Sequence, residues 1–167
     1  MVSDNINSMK KNFLFFLLIL LAPTLANASD FDERKSQCIL NNLLEIDNNR
    51  ASKMIEEACR WGVAAENPEP FDVRYAQCIF KNINKASAKN YKAADLIGDS
   101  CRWGVAAENP EPFDVRYAQC IFKNISNASE SNKTAANLIG DACRWGVAAE
   151  NPEPFDVRFS KCIFKNI

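Results

Sequence analysis

Cysteine is the residue type through which this chain can do covalent chemistry. The 167 residues include seven Cys and no His. Without His, the Ser-His-Asp and Cys-His catalytic arrangements and Cys2His2 metal sites are excluded. The cysteines stand singly, at Cys38, Cys59, Cys78, Cys101, Cys120, Cys143 and Cys162, and never as a C-x-x-C pair. That spacing argues against thiol redox chemistry and metal binding, and for structural disulfides. Seven is odd, so at least one thiol has no partner within the chain.

Each cysteine falls near the middle of a segment with helical periodicity. Ala51, Met54, Ile55, Ala58, Cys59, Gly62 and Val63 recur at three- and four-residue intervals, one apolar stripe on a helix. Ala93, Leu96, Ile97, Cys101, Gly104 and Val105 repeat it. A second kind of segment carries Phe71, Tyr75, Cys78, Ile79 and Ile83 on one side, widened by Val73, Ala76 and Phe80. Asn-rich stretches and Asn-Pro-Glu-Pro connections separate the segments. Asp72, Asp114 and Asp156 are candidate N-caps, with Asn67 ahead of Pro68 an equal alternative. The pattern predicts seven helices, at roughly 30–46, 50–66, 71–85, 91–108, 113–126, 132–150 and 155–166. No segment alternates with period two, so no sheet is expected.

The segments form a repeat. Residues 59–83 recur unchanged at 101–125, and residues 59–74 recur again at 143–158. The period is 42 residues, and residues 31–39 are a diverged copy of 71–79. A period of this size marks stacked helical pairs. The expected fold is all-α: disulfide-stapled αα-hairpin repeats in a short α-solenoid. Its units lie near 29–68, 69–110 and 111–152, with a half unit at 153–167.

Two pairings satisfy the spacing. In one, Cys38–Cys59, Cys78–Cys101 and Cys120–Cys143 straddle the Asn-rich loops, and Cys162 is left over. In the other, Cys59–Cys78, Cys101–Cys120 and Cys143–Cys162 straddle the Pro-containing connections, and Cys38 is left over. The first is preferred, because residues from 29 onward then open with a complete hairpin. Closing a loop of such length is worth about 3 kcal/mol per bridge in the chain-entropy description. Under the first pairing Cys162 is either a free thiol or the link in a disulfide homodimer.

Cys38, Ile39 and Asn42, followed by Ala51, Ile55, Ala58 and Cys59, read C-I-x-x-N…A-x-x-x-I-x-x-A-C. This resembles a helical-hairpin motif of small uncharacterised bacterial proteins. The resemblance implies a stapled hairpin and supports the first pairing. It implies no activity, substrate or catalytic residue.

The first residues read as an address. Lys10 and Lys11 precede an apolar run at 13–21, and Ala26-Asn27-Ala28 supplies an A-x-A site. That is a secretory signal peptide over 1–28, too short in its apolar run to span a bilayer comfortably. Cleavage would remove two Lys and one Asp, taking the formal charge from -1 to -2. A periplasmic or secreted location follows, where disulfides persist. No membrane span is expected after cleavage, and the charge balance argues against a nucleic-acid partner.

Trp61, Trp103 and Trp145 each follow an Arg, two residues after a Cys. Either each Trp packs between hairpins, the preferred reading, or the Trp-Arg steps form a binding surface. Trp61, Trp103, Trp145, Tyr75, Tyr117 and Phe159 are the candidate protein-binding residues. Gly62, Gly104 and Gly146, costly inside a helix, predict close helix approach. Asn124, Asn127 and Asn132 head glycosylation-type triplets and are read as polar loop. Repeated carboxylates such as Glu66, Glu69 and Asp72 are read as capping and solvated groups. The functional expectation is an exported module that binds a protein or builds a scaffold, without cofactor, metal or catalytic residues. The alternatives are a secreted effector, toxin or inhibitor, and, less favoured, a small hydrolytic enzyme.

Overall fold

The structure is a computed structural model that describes residues 30–43, 48–86, 90–128 and 133–167. The signal-peptide segment 1–28 lies outside the described residues. Among them, all regular structure is helical: α1 (30–43), α2 (Asn49–Ala58), α3 (Pro70–Asn82), α4 (Tyr91–Cys101), α5 (Pro112–Asn124), α6 (Lys133–Cys143) and α7 (Pro154–Asn166). They form three disulfide-linked hairpins, α1–α2, α3–α4 and α5–α6, with α7 following. None is long and apolar enough to cross a membrane.

Asparagines start α2 and α4. Asn48 Oδ1 accepts from the backbone N–H of Arg50 at 3.0 Å and of Ala51 at 3.2 Å. Asn90 Oδ1 does the same for Ala93 at 3.1 Å. These bonds satisfy donors that a helix N-terminus leaves open. The odd helices α3, α5 and α7 start differently. Pro70, Pro112 and Pro154 occupy the first turn, and the N-cap residues are Glu69, Glu111 and Glu153, without a side-chain cap bond. The N-cap expectation for Asp72, Asp114, Asp156 or Asn67 is therefore corrected. Proline needs no partner for an N–H it lacks, and its fixed φ is already helical. The aspartates sit inside the first turn, where the helix dipole favours them.

The asparagine of the C-I-x-x-N motif closes the odd helices. Asn42, Asn82, Asn124 and Asn166 donate from Nδ2 to the carbonyls of Cys38, Cys78, Cys120 and Cys162 at 2.7–3.0 Å.

The even helices do not continue as α-helix past their cysteines. Wide π-helical turns run over Cys59–Ala64, Arg102–Ala106 and Arg144–Ala148. In a π turn the hydrogen bond spans five residues rather than four. Beyond Cys59, Gly62 faces α3 and Ala64 is fully buried, whereas Val63 turns outward. Val63 and Val105, expected in the apolar stripe, are 41% and 39% exposed. The helical segments also stop at 64, 106 and 148, two residues short of expectation.

Arginine ties each hairpin's open end. Arg34 Nη2 donates to the Ala64 carbonyl at 3.0 Å. Arg74 and Arg116 each donate twice, to Ala106 and Ala148, at 2.6–2.9 Å. The last carbonyl of every wide turn thus has a charged donor from its own hairpin.

The disulfides are Cys38–Cys59, Cys78–Cys101 and Cys120–Cys143, with Cα atoms 5.5–5.6 Å apart. All six of these cysteines are buried, and Cys162 is exposed and unpaired. Between hairpins, α2, α4 and α6 stack in series. Met54 presses on Gly98 and Leu96 on Gly140, where a side chain would leave no room or only contact distance. Ile55, Ile79, Ile97, Ile121 and Ile139 run through the core. Helix α3 is held between the wide turns at 59–64 and 102–106, and α5 between those at 102–106 and 144–148.

Candidate functional site

Gly62 lets α3 lie directly on the first wide turn. A Cβ there would stand 2.5 Å from Ala76 Cβ and 2.6 Å from the Asp72 carbonyl oxygen. Gly104 meets Ala118 and Asp114 at the same distances. With the glycine side of the turn pressed inward, the adjacent tryptophan is turned outward. Trp61, Trp103 and Trp145 are 48%, 58% and 56% exposed. They are not buried between hairpins as the preferred sequence reading expects, although Trp61 borders Phe71, Tyr75 and Arg102 of the next hairpin. In each wide turn the glycine takes the side against the next odd helix, and the tryptophan beside it lies at the edge of the apolar stripe.

Beside Trp61 opens a notch of about 220 Å³, walled by Trp61, Phe71, Tyr75 and Arg102, with Glu57 and Asp72 on its lining. Phe71 and Tyr75 lie parallel, ring centroids 6.3 Å apart. The pairs recur as Phe113–Tyr117 at 6.1 Å and Phe155–Phe159 at 6.3 Å. The Arg102 guanidinium lies over the Tyr75 ring at 5.6 Å, and Arg144 over Tyr117 at 5.8 Å. In the first hairpin Lys35 stands where later copies have Tyr75, Tyr117 and Phe159, and Arg60 lies over Trp61 instead, at 4.8 Å. Burial pushes the Tyr75 and Tyr117 phenols above the ordinary tyrosine value, against the opposing pull of the arginines.

The candidate residues are thus brought together unequally. The tryptophans are the exposed members. Tyr75 is only 6% exposed and forms a wall rather than a contact surface, while Tyr117 and Phe159 are half-buried. Phe71, expected on the apolar side of its helix, packs against the core and also lines the notch, while its counterpart Phe155 is 67% exposed. The arginine ladder was missed, since an arginine bound to a distant carbonyl leaves no local pattern.

A second repeated concavity lies between successive odd helices. One, about 630 Å³, has the buried Cys78 and Asn82 in its lining and the exposed Gln77 and Lys81 beside them. Its arginine, Arg74, is committed to the Ala106 carbonyl. Among the described residues no group of three or more potential metal ligands converges.

Fold, exposed tryptophans and recurring ring pairs together define a disulfide-stapled helical-hairpin repeat with a periodic aromatic edge. No family model matches the chain, and neither a curated protein nor a solved structure is significantly similar to it.

Proposed function

We propose that this chain is an exported, non-enzymatic repeat module that binds a protein partner along its tryptophan edge. The observation that carries the reading is the exposure of Trp61, Trp103 and Trp145 at the same place in successive repeats. Tryptophan is costly to leave in water and is enriched where binding energy concentrates. A stapled scaffold holds these side chains at fixed intervals without spending partner energy on ordering them. The repeated carboxylates Glu66, Glu69 and their copies are exposed, the setting of solvated acids rather than catalytic ones.

The test is a triple variant, Trp61→Ala with Trp103→Ala and Trp145→Ala. It should keep its helical circular dichroism and its melting temperature. It should lose the protein that the unaltered chain captures from an envelope fraction. Equal capture by the variant would remove the tryptophans from the site. Export predicts a mature N-terminus at Ser29, read directly by N-terminal sequencing. Linkage of two chains through Cys162 belongs to the same reading. It predicts a dimer band on a non-reducing gel that disappears in Cys162→Ser.

A further inference from the structure

The partner's chemistry can be read from the charge around the notches. Residues 61–73 contain Glu66, Glu69 and Asp72 and no Lys or Arg. The same block recurs unchanged at 103–115 and 145–157. Glu66, Glu69 and all four of their copies are exposed. One further exposed carboxylate stands ahead of each tryptophan: Glu57, which lines the first notch, then Asp99 and Asp141.

The cations nearby are fewer, and although each has a contact within the chain, Arg60 and Arg102 stay exposed and charged. Arg102 lies over Tyr75, Arg60 over Trp61, and Arg74 holds the Ala106 carbonyl. Lysines gather at the other end of the odd helices, with Lys81, Lys123 and Lys165 in their last turns. Charge is therefore sorted along each hairpin, and the aromatic edge is the acidic one.

Aromatic faces beside carboxylates attract a cation through both the ring quadrupole and the full charges. A volume of about 220 Å³ is below that of ordinary small-molecule pockets. It suits a single side chain. We propose that the notch beside Trp61 takes one Lys or Arg side chain of an extended polypeptide, and that the equivalent places beside Trp103 and Trp145 do the same, so that successive repeats read a basic segment of the partner. This rests on the tryptophan edge being a protein-binding surface.

The experiment uses the full oxidised chain and three labelled peptides. One is a Lys-Pro-Ser repeat; in the others Glu or Ala replaces every Lys. Binding is followed by fluorescence anisotropy and by tryptophan quenching. The lysine peptide should bind, more weakly as salt rises, and the glutamate peptide should not. The triple tryptophan variant should weaken binding by about tenfold or more, the order expected for lost hot-spot side chains. A variant with Glu57→Gln, Asp99→Asn and Asp141→Asn should weaken it several-fold. These three carboxylates are exposed, so the fold should persist, and circular dichroism checks it.

Tryptophan-dependent binding of the alanine or glutamate peptide as tight as that of the lysine peptide would overturn the cationic occupant while leaving a protein-binding edge standing. Unchanged binding by the carboxylate variant would overturn it too. Tryptophan-dependent self-association of the chain alone would place a second copy's lysines in the notches and overturn a separate partner. Peptide binding that ignores the tryptophans would sink both this proposal and the reading beneath it.

Discussion

Ser100 shows how near-identical copies expose a local cost. Ala58 and Ala142 hold the equivalent positions, but Ser100 is 2% exposed and its hydroxyl has no hydrogen-bond partner. A buried unsatisfied polar group costs about 1–3 kcal/mol. Ser100→Ala should therefore raise stability by about 1 kcal/mol, read from urea unfolding. No gain would mean that the hydroxyl is satisfied. Gly104 has the opposite sensitivity. Its Cβ would strike the Asp114 carbonyl as well as Ala118, and a helix backbone cannot yield as a side-chain tip can. Gly104→Ala should cost about 1–3 kcal/mol, the range for overpacking. Tyr75 and Tyr117 add a pH dependence. Their folded-state values are raised by burial, so the unfolded chain ionises first. Stability contributed by the neutral phenols is intact below about pH 10 and is lost as pH rises beyond it. Melting temperatures between about pH 9 and pH 11 should fall, and less so with Tyr75→Phe and Tyr117→Phe combined. An equal fall in that double variant would assign the effect to other groups.

At the scale of the element, the wide turn is the device that separates core from surface. Up to the cysteine the even helices obey a 3.6-residue period, and Ala51, Met54, Ile55 and Ala58 are buried as it requires. Beyond it the glycine and the last alanine of the wide turn face inward, and Val63 and Val105 do not. The turn leaves a terminal carbonyl, and Arg34, Arg74 or Arg116 satisfies it. A hydrogen bond from a charged donor is worth about 1.5–3 kcal/mol. Arg116→Met, which keeps the apolar stem, should cost within about that range and loosen the third wide turn first. Faster amide exchange confined to residues 144–148 and the start of α7 would show it. Exchange spread evenly over the chain would mean that the bond stabilises the whole array instead.

At the scale of the molecule, stability is distributed along a line. Each hairpin has its own covalent staple, and closing loops with sequence separations of 21 and 23 residues is worth about 3 kcal/mol each. That is a large share of a net stability of about 5–15 kcal/mol. Reduction should therefore lower the melting temperature sharply, and a Cys78→Ser, Cys101→Ser pair should weaken the middle of the array most. Helix α7 is the contrast. Only Ser160 is buried on it, and no disulfide reaches it. Hydrogen exchange should find α7 the least protected helix, with the α3–α4 hairpin among the most protected.

The repeat, the helical class and the hairpin order were legible in the sequence, because period and apolar spacing are local properties that survive without a fold. Gly62 was legible too, as an unfavourable residue that needed a compensating contact. The two disulfide frames were equally compatible with the spacing, and the tertiary structure decides between them by bringing Cys38 to Cys59 rather than Cys59 to Cys78. The outward tryptophans, the exposed Val63 and the notch at Phe71 also belong to the tertiary structure alone. Each depends on how the wide turn meets the helix that follows it, a contact between residues distant enough that local spacing does not carry it.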